Sequence, residues 1–246
     1  MFPIRDHNPS HRTPWVTWAL IAINVLIWVA GLAVIPDEGA LAAFYEAWAL
    51  IPAEVTSGRD LHGAFTSMFL HASLLHLAGN MLFLWVFGDN LEDQMGHVGF
   101  LIFYLAAGLA AAAAHIIPDP SSQIPTVGAS GAIAGVMGGY LLLFPRARID
   151  VFFFFVVFFR IIPIPAWLVL GLWFVMQVLG GWGTTLEGGG VAYWAHAGGF
   201  VAGFLLALPL WLARGGPDFW QRPHGVPPHP GTVYARSTIP VVPRRR

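Results

Sequence analysis

Cysteine and lysine are both missing from this sequence. Without cysteine there are no disulfides, no thiolate zinc sites and no cysteine nucleophile, and the redox compartment is left open. Charge is the next scarcity. Only 10% of the 246 residues are charged, against roughly 25% in ordinary soluble domains. A soluble fold of this size needs a charged, hydrated surface, and there is too little charge here to cover one. With 57% of the residues hydrophobic, the solvent of most of the chain must be lipid. No basic cluster is dense enough to suggest nucleic acid, and a formal net charge of -1 singles out no partner. No internal repeat is visible, which argues against an inverted-repeat transporter.

What is present is a series of apolar runs. A helix needs about 20 apolar residues to cross roughly 30 Å of hydrocarbon. Trp15 to Ile35 is an uncharged run of that length, too long for the core of a signal peptide, and so a retained first span. Leu74 to Phe87 is shorter and is followed by Asp89, Glu92 and Asp93, which mark its exit. His97 to Ile117 is a third span, stopped by Pro118, and Ser130 to Phe144 a short, glycine-rich fourth, ended by Pro145. Pro163 to Leu179 and Val191 to Ala213 complete about six spans, an all-α polytopic membrane bundle. Val151 to Ile162, rich in Phe and Val, fits a strand, an interfacial segment or a helix extension.

The division that follows is a cytoplasmic N-terminal segment (1–14), a six-span domain (15–213) and an Arg/Pro-rich tail (214–246) that reads as disordered. Cytoplasmic loops retain positive charge. With both termini inside, 11 of the 12 arginines are cytoplasmic, and only Arg59 faces out.

Three places carry chemistry. Ser130 in Gly128-Ala129-Ser130-Gly131 opens the fourth span after a loop containing Pro118, Pro120 and Pro125. Fifteen helical residues reach about 22 Å, so a span counted from the cytoplasmic side leaves Ser130 below the outer surface. Irregular backbone at that depth is tolerated only inside protein or around a cavity. Backbone N–H groups at the helix start can hold a developing oxyanion; an ordinary N-cap serine is the plainer alternative.

His196 lies inside the sixth span, where an ionisable side chain is costly and marks a functional site by default. Gly199 and Gly203 follow on its face, and Gly131, Gly135 and Gly139 make a matching stripe on span four. Such stripes let two backbones approach closely, as a Ser–His hydrogen bond requires. Packing alone, with His196 bonded to a backbone carbonyl, is the competing account. His76 and Asn80, at i and i+4 in span two, share a helical face and can present two donors to one acceptor. A polar clasp between helices is the alternative there. His71 and His76 do not share a face and no carboxylate joins them, so a metal site is not expected, nor any other cofactor.

Together these three constellations resemble the rhomboid family of intramembrane serine proteases. That family is marked by Gly-x-Ser-Gly opening the fourth span, Ala-His-x-x-Gly-x-x-x-Gly in the sixth and His-x-x-x-Asn in the second. Here they read Gly128 to Gly131, Ala195-His196 with Gly199 and Gly203, and His76 with Asn80. The likeness covers roughly Trp15 to Ala213. It implies a Ser130–His196 catalytic dyad, with His76, Asn80 and the Ser130 backbone N–H stabilising the oxyanion. The implied partners are the lipid bilayer and single-span transmembrane substrates, cut near the outer face. Many members carry a tyrosine one turn after the serine, beneath the histidine ring, where this chain has Ala134. A Trp-Arg pair common in their first outer loop is absent; Trp48 and Arg59 do not form it. A catalytically inactive rhomboid-like protein that binds membrane clients is the alternative. The compact chain points to a bacterial inner (plasma) membrane.

Overall fold

The computed structural model describes residues 2–155, 158–183 and 190–221. In chain order the elements are β1 (Phe2–Asp6), α1 (Trp15–Val34), α2 (Glu38–Trp48), α3 (Pro52–Thr56) and α4 (Gly63–Thr66). A 3-10 turn, Ser67–Phe69, then leads to α5 (Leu74–Met95), α6 (His97–Ile116) and α7 (Ser130–Leu143). The remainder is β2 (Arg148–Phe155), β3 (Phe158–Pro165), α8 (Ala166–Gly183), α9 (Tyr193–Ala213) and α10 (Pro217–Gln221).

The protein is mostly helical and built on membrane-spanning helices. By length and composition α1, α6, α8 and α9 can each cross a bilayer. A fifth span arises if Gly63–Phe69 and α5, bent by 90° at their junction, count as one. At 14 residues α7 falls short, so length alone does not deliver the expected six.

Burial explains the short helix. Twelve of the 14 residues of α7 are buried, so it is the central helix, packed against α5, α6 and α9. By contrast α1 buries only Thr17, Leu20 and Asn24, while Leu32 and Val34 are 70% and 77% exposed. Polar residues inward and aliphatics outward is the distribution lipid imposes, since buried polar groups need protein partners there.

The fold is not all-α. An antiparallel sheet of order β1-β2-β3 packs on the bundle, with the Tyr140 hydroxyl of α7 donating to Asp6 at 2.7 Å. The Phe/Val-rich stretch left open by the sequence is a hairpin, Arg148 pairing with Pro165 and Phe155 with Phe158. Aromatic and β-branched residues suit a pleated surface, and Pro163 and Pro165 are tolerated because β3 is an edge strand. The start of α8 therefore moves from Pro163 to Ala166. The N-terminal segment joins the sheet, with Phe2 opposite Phe152 and Asp6 opposite Ile149. Arg5 pairs with Asp150 at 2.6 Å.

The helix of span two runs on past Phe87 to Met95, so that Asp89, Glu92 and Asp93 stand in its last turns. Glu92 is wholly buried and accepts hydrogen bonds from Val16 N, Thr17 N and Thr17 Oγ1 at 2.9, 2.8 and 2.7 Å. It caps the start of α1, where helix N–H groups lack intrahelical acceptors and favour negative charge. Folded structure also continues past Ala213. The Trp220 indole N–H, on α10, donates to the Leu142 carbonyl at 2.9 Å, and residues 222–246 of the expected tail lie outside the described residues.

Candidate active site

The starts of α5, α7 and α9 come together around one cavity, which Phe2 of β1 also lines. Gly128 sets the entry to α7. Its φ of 137° is a region L side chains rarely adopt. A Cβ there would stand 2.8 Å from His76 Cε1. The Gly128 N–H donates to the Ser67 carbonyl at 2.9 Å, tying the loop to the 3-10 turn. Ser130 is then the first residue of α7.

Helices α7 and α9 cross almost backbone to backbone. A Cβ on Gly199 would run into the Gly131 carbonyl, one on Gly203 into Gly135, and one on Gly138 into the Phe200 carbonyl. Gly131 and Gly135 also face Ala111 and Ala107 of α6. Gly139 meets Leu91 and Phe103 most closely, with Ala207 of α9 at 3.5 Å. Small residues allow this approach, and dispersion with close packing sustains it in lipid. The result is that His196 Nε2 lies 2.7 Å from Ser130 Oγ.

Ser130 and His196 line a cavity of about 1040 Å³, shared with His76 and Asn80. Ser73 caps α5, its Oγ accepting from the His76 N–H at 3.1 Å, which sets His76 and Asn80 one turn apart on the cavity side. His76 Nε2 and Ser130 Oγ fall 2.9 and 3.4 Å from the position a Gly128 Cβ would occupy. Asn80 is buried, and its Nδ2 has no hydrogen-bond partner among the described residues. The four side chains singled out from the sequence thus meet in one cavity. His71 packs edge to face on His76, ring centroids 5.1 Å apart. Among the described residues no three His, Asp or Glu side chains gather as metal ligands.

Two neighbours of His196 escape a reading of the sequence. Gln177 of α8 places Oε1 2.9 Å from His196 Nδ1. The Trp173 ring, also on α8, lies 5.8 Å from the imidazole, tilted by 35°. Ala134, where the resemblance expects a tyrosine, is buried, and it is Trp173 that flanks the histidine. The signal available was a lone amide within the uncharged α8 sequence.

A helical membrane protein with a hydrogen-bonded serine and histidine in a cavity at one end of the bundle is the class that fold and site define. Comparison with known proteins gives the particular family. The family model for the rhomboid domain matches residues 58–213, and the chain belongs to the rhomboid family. It is 31% identical over 198 residues to Rhomboid protein 1, mitochondrial, of Saccharomyces cerevisiae, covering 77% of this chain and 51% of that protein. With Rhomboid protease GluP of Bacillus subtilis it shares 33% over 151 residues, 61% of this chain and 26% of that protein. With RHOMBOID-like protein 12, mitochondrial, of Arabidopsis thaliana it shares 33% over 136 residues, 48% and 38% of the two chains. The chain thus spans about half or less of the length of these relatives.

Proposed function

We propose that this chain is an intramembrane serine endopeptidase that cleaves the transmembrane segments of membrane proteins. The 2.7 Å contact between Ser130 Oγ and His196 Nε2 carries the reading. In lipid, such a contact needs two helices whose glycines meet face to face, and nothing in a purely structural histidine requires a serine at a helix start opposite it.

The chemistry follows from the groups present. Ser130 Oγ attacks the scissile carbonyl carbon while His196 Nε2 takes the hydroxyl proton. The carbonyl oxygen gains negative charge and is met by the Ser130 N–H, the Asn80 amide and the His76 ring. Collapse of the intermediate breaks the C–N bond, His196 returning the proton to the leaving amine. Water then attacks the acyl-serine by the same route, releasing the carboxyl product and restoring Ser130. Asn80 Nδ2 fits the donor role because none of the described residues offers it an acceptor, a cost that a transition-state oxyanion removes.

The bundle is proposed to cross six times, α7 counting as a span despite its length. Its 14 residues reach about 21 Å, so with its C-terminal end at one face of about 30 Å of hydrocarbon, Ser130 is recessed from the other. Arg148 follows the C-terminal end of α7 and Arg5 pairs with Asp150 beside it, both at the end of α7 opposite Ser130. Positive charge is retained inside, which supports cytoplasmic termini and cleavage of single-span substrates near the outer face. The protease unit is taken as 15–213, with the N-terminal segment strapped to it through β1. Relatives from mitochondria and from a bacterium give no preference for a bacterial plasma membrane. The test is cleavage of a single-span substrate in proteoliposomes by wild type and Ser130→Ala. Loss of cleavage in the variant is expected. Binding of the substrate without cleavage by either protein would favour the inactive, client-binding alternative.

A further inference from the structure

We infer that Gln177 is a positioning residue for His196, fixing which ring nitrogen carries the proton; the inference rests on the Ser–His reading above. Among the described residues no carboxylate stands behind the serine–histidine pair, and a histidine held from one side only is free to rotate and to exchange tautomers. Gln177 comes from a third helix, is 8% exposed, and places Oε1 2.9 Å from Nδ1.

The direction of every proton in this chain can be deduced. Gln177 Nε2 lies 3.3 Å from the backbone carbonyl of Trp173. A carbonyl oxygen only accepts, so the NH₂ of the amide must face it. Oε1 therefore faces His196 and is itself only an acceptor. The ring nitrogen it meets, Nδ1, must then carry the hydrogen. In a neutral imidazole the other nitrogen, Nε2, is left with its lone pair, and it is Nε2 that meets Ser130 Oγ at 2.7 Å. Ser130 O–H donates, which is the arrangement that general-base attack requires. The Trp173 backbone carbonyl thus determines, through one amide, the state of the base two bonds away, while the Trp173 ring restricts tilting of the imidazole.

An amide suits this position better than a carboxylate would. Burying an ionised group among apolar helices costs several kcal/mol unless it is fully partnered, whereas the amide here has its donor and its acceptor both engaged. It holds the histidine without adding charge. It also leaves the resting imidazole neutral, the form able to accept the serine proton.

The test uses the full-length protein in proteoliposomes with Gln177→Met, which keeps length and removes the acceptor, and Gln177→Glu, which keeps an acceptor oxygen whether ionised or not. For Gln177→Met we expect kcat to fall on the order of 10 to 100-fold with KM little changed, because positioning of the base matters only as the proton moves. Gln177→Glu should restore most of the rate. Its acid limb should move to higher pH where the carboxylate is ionised, since an opposite charge beside the ring favours imidazolium. Wild-type rates in Gln177→Met, or Gln177→Glu as slow as Gln177→Met, would overturn the inference. The ¹⁵N spectrum of the imidazoles, with His196 assigned by difference against His196→Ala, is independent of turnover. It should show Nδ1–H in wild type and a mixture in Gln177→Met; Nε2–H in wild type would sink the idea. Cleavage surviving in Ser130→Ala overturns the protease reading instead, and the spectrum still decides the role of Gln177.

Discussion

Replacing Gly199 by alanine adds one methyl group at the place where α7 and α9 touch. The new Cβ would collide with the Gly131 carbonyl oxygen, while the Gly131 carbonyl carbon stands at 3.0 Å and Ala111 Cβ at 3.1 Å. Non-bonded carbons settle at about 3.5–4.0 Å, and the colliding partner is backbone, which cannot rotate away. The helices must part by about 1 Å. His196 lies one turn before Gly199, and Ser130 directly precedes Gly131, so the displacement falls on the proposed reacting pair. A 2.7 Å contact opened by that amount is no longer a hydrogen bond, and a misplacement of about 1 Å can cost on the order of 100-fold in rate. Stability should change far less. Overpacking costs about 1–3 kcal/mol, and exchange of a mid-helix glycine for alanine returns about 1 kcal/mol. Gly171→Ala is the control, because a Cβ there meets nothing within 4 Å. Cleavage of a transmembrane substrate and thermal unfolding in detergent would be measured on all three proteins. A Gly199→Ala protein that cleaves within about threefold of wild type, against the loss of on the order of 100-fold expected, would refute the claim that glycine contact brings the pair together.

Four further outcomes are expected. A serine-directed fluorophosphonate should label Ser130 in wild type and not in His196→Ala; equal labelling would remove the histidine as base. Asn80→Ala should lower kcat by roughly 10²–10³-fold with KM and melting temperature near wild type, whereas a polar clasp would show the reverse. Burial raises the Asp6 carboxyl to about 7, against the opposing hydrogen bond from Tyr140. The unfolded chain therefore ionises first as pH rises, so Asp6 subtracts stability progressively between about pH 4 and pH 7; Asp6→Asn should flatten that part of a melting-temperature profile, and an unchanged slope would contradict it. In the naturally cysteine-free chain, a cysteine at Ser122 should react with an impermeant reagent from outside and one at Arg148 only after the membrane is opened; the opposite pattern would invert the orientation.

The spans were legible because lipid imposes a one-body rule: a segment is apolar over its whole length or it does not cross. Starts at Trp15, Leu74, His97 and Ser130 agree with the structure to the residue, and the ends of α1, α6 and α7 within one. Errors arose where a residue's state depends on a partner far along the chain. Beyond marking the polar end of a span, Glu92 caps α1, which shows only when the start of that helix, about 75 positions earlier, is seen to donate to it. Phe2 to Asp6 has no strand signature of its own and becomes a strand because β2 offers an edge. Glu38–Trp48, an amphipathic helix in the first loop with Asp37 accepting from the Ala40 N–H at 2.8 Å, is not a span and so lay outside that rule.

The site divides along the same line. Ser130, His196, His76 and Asn80 could be picked out because each is a polar or ionisable group at a place where lipid makes such groups expensive, and the glycine spacing around them stated that two helices meet. Gln177 met the first condition and was passed over, being uncharged, although Gly180 and Gly181 follow it at i+3 and i+4. Its meaning appears only when α8 is laid against α9. Single-helix reasoning recovers groups that react, because their chemistry is unusual wherever they stand. Groups that aim a reacting group are ordinary amides and rings, and it is only the neighbouring helix that makes Gln177 a partner of His196 rather than a polar residue in a membrane span.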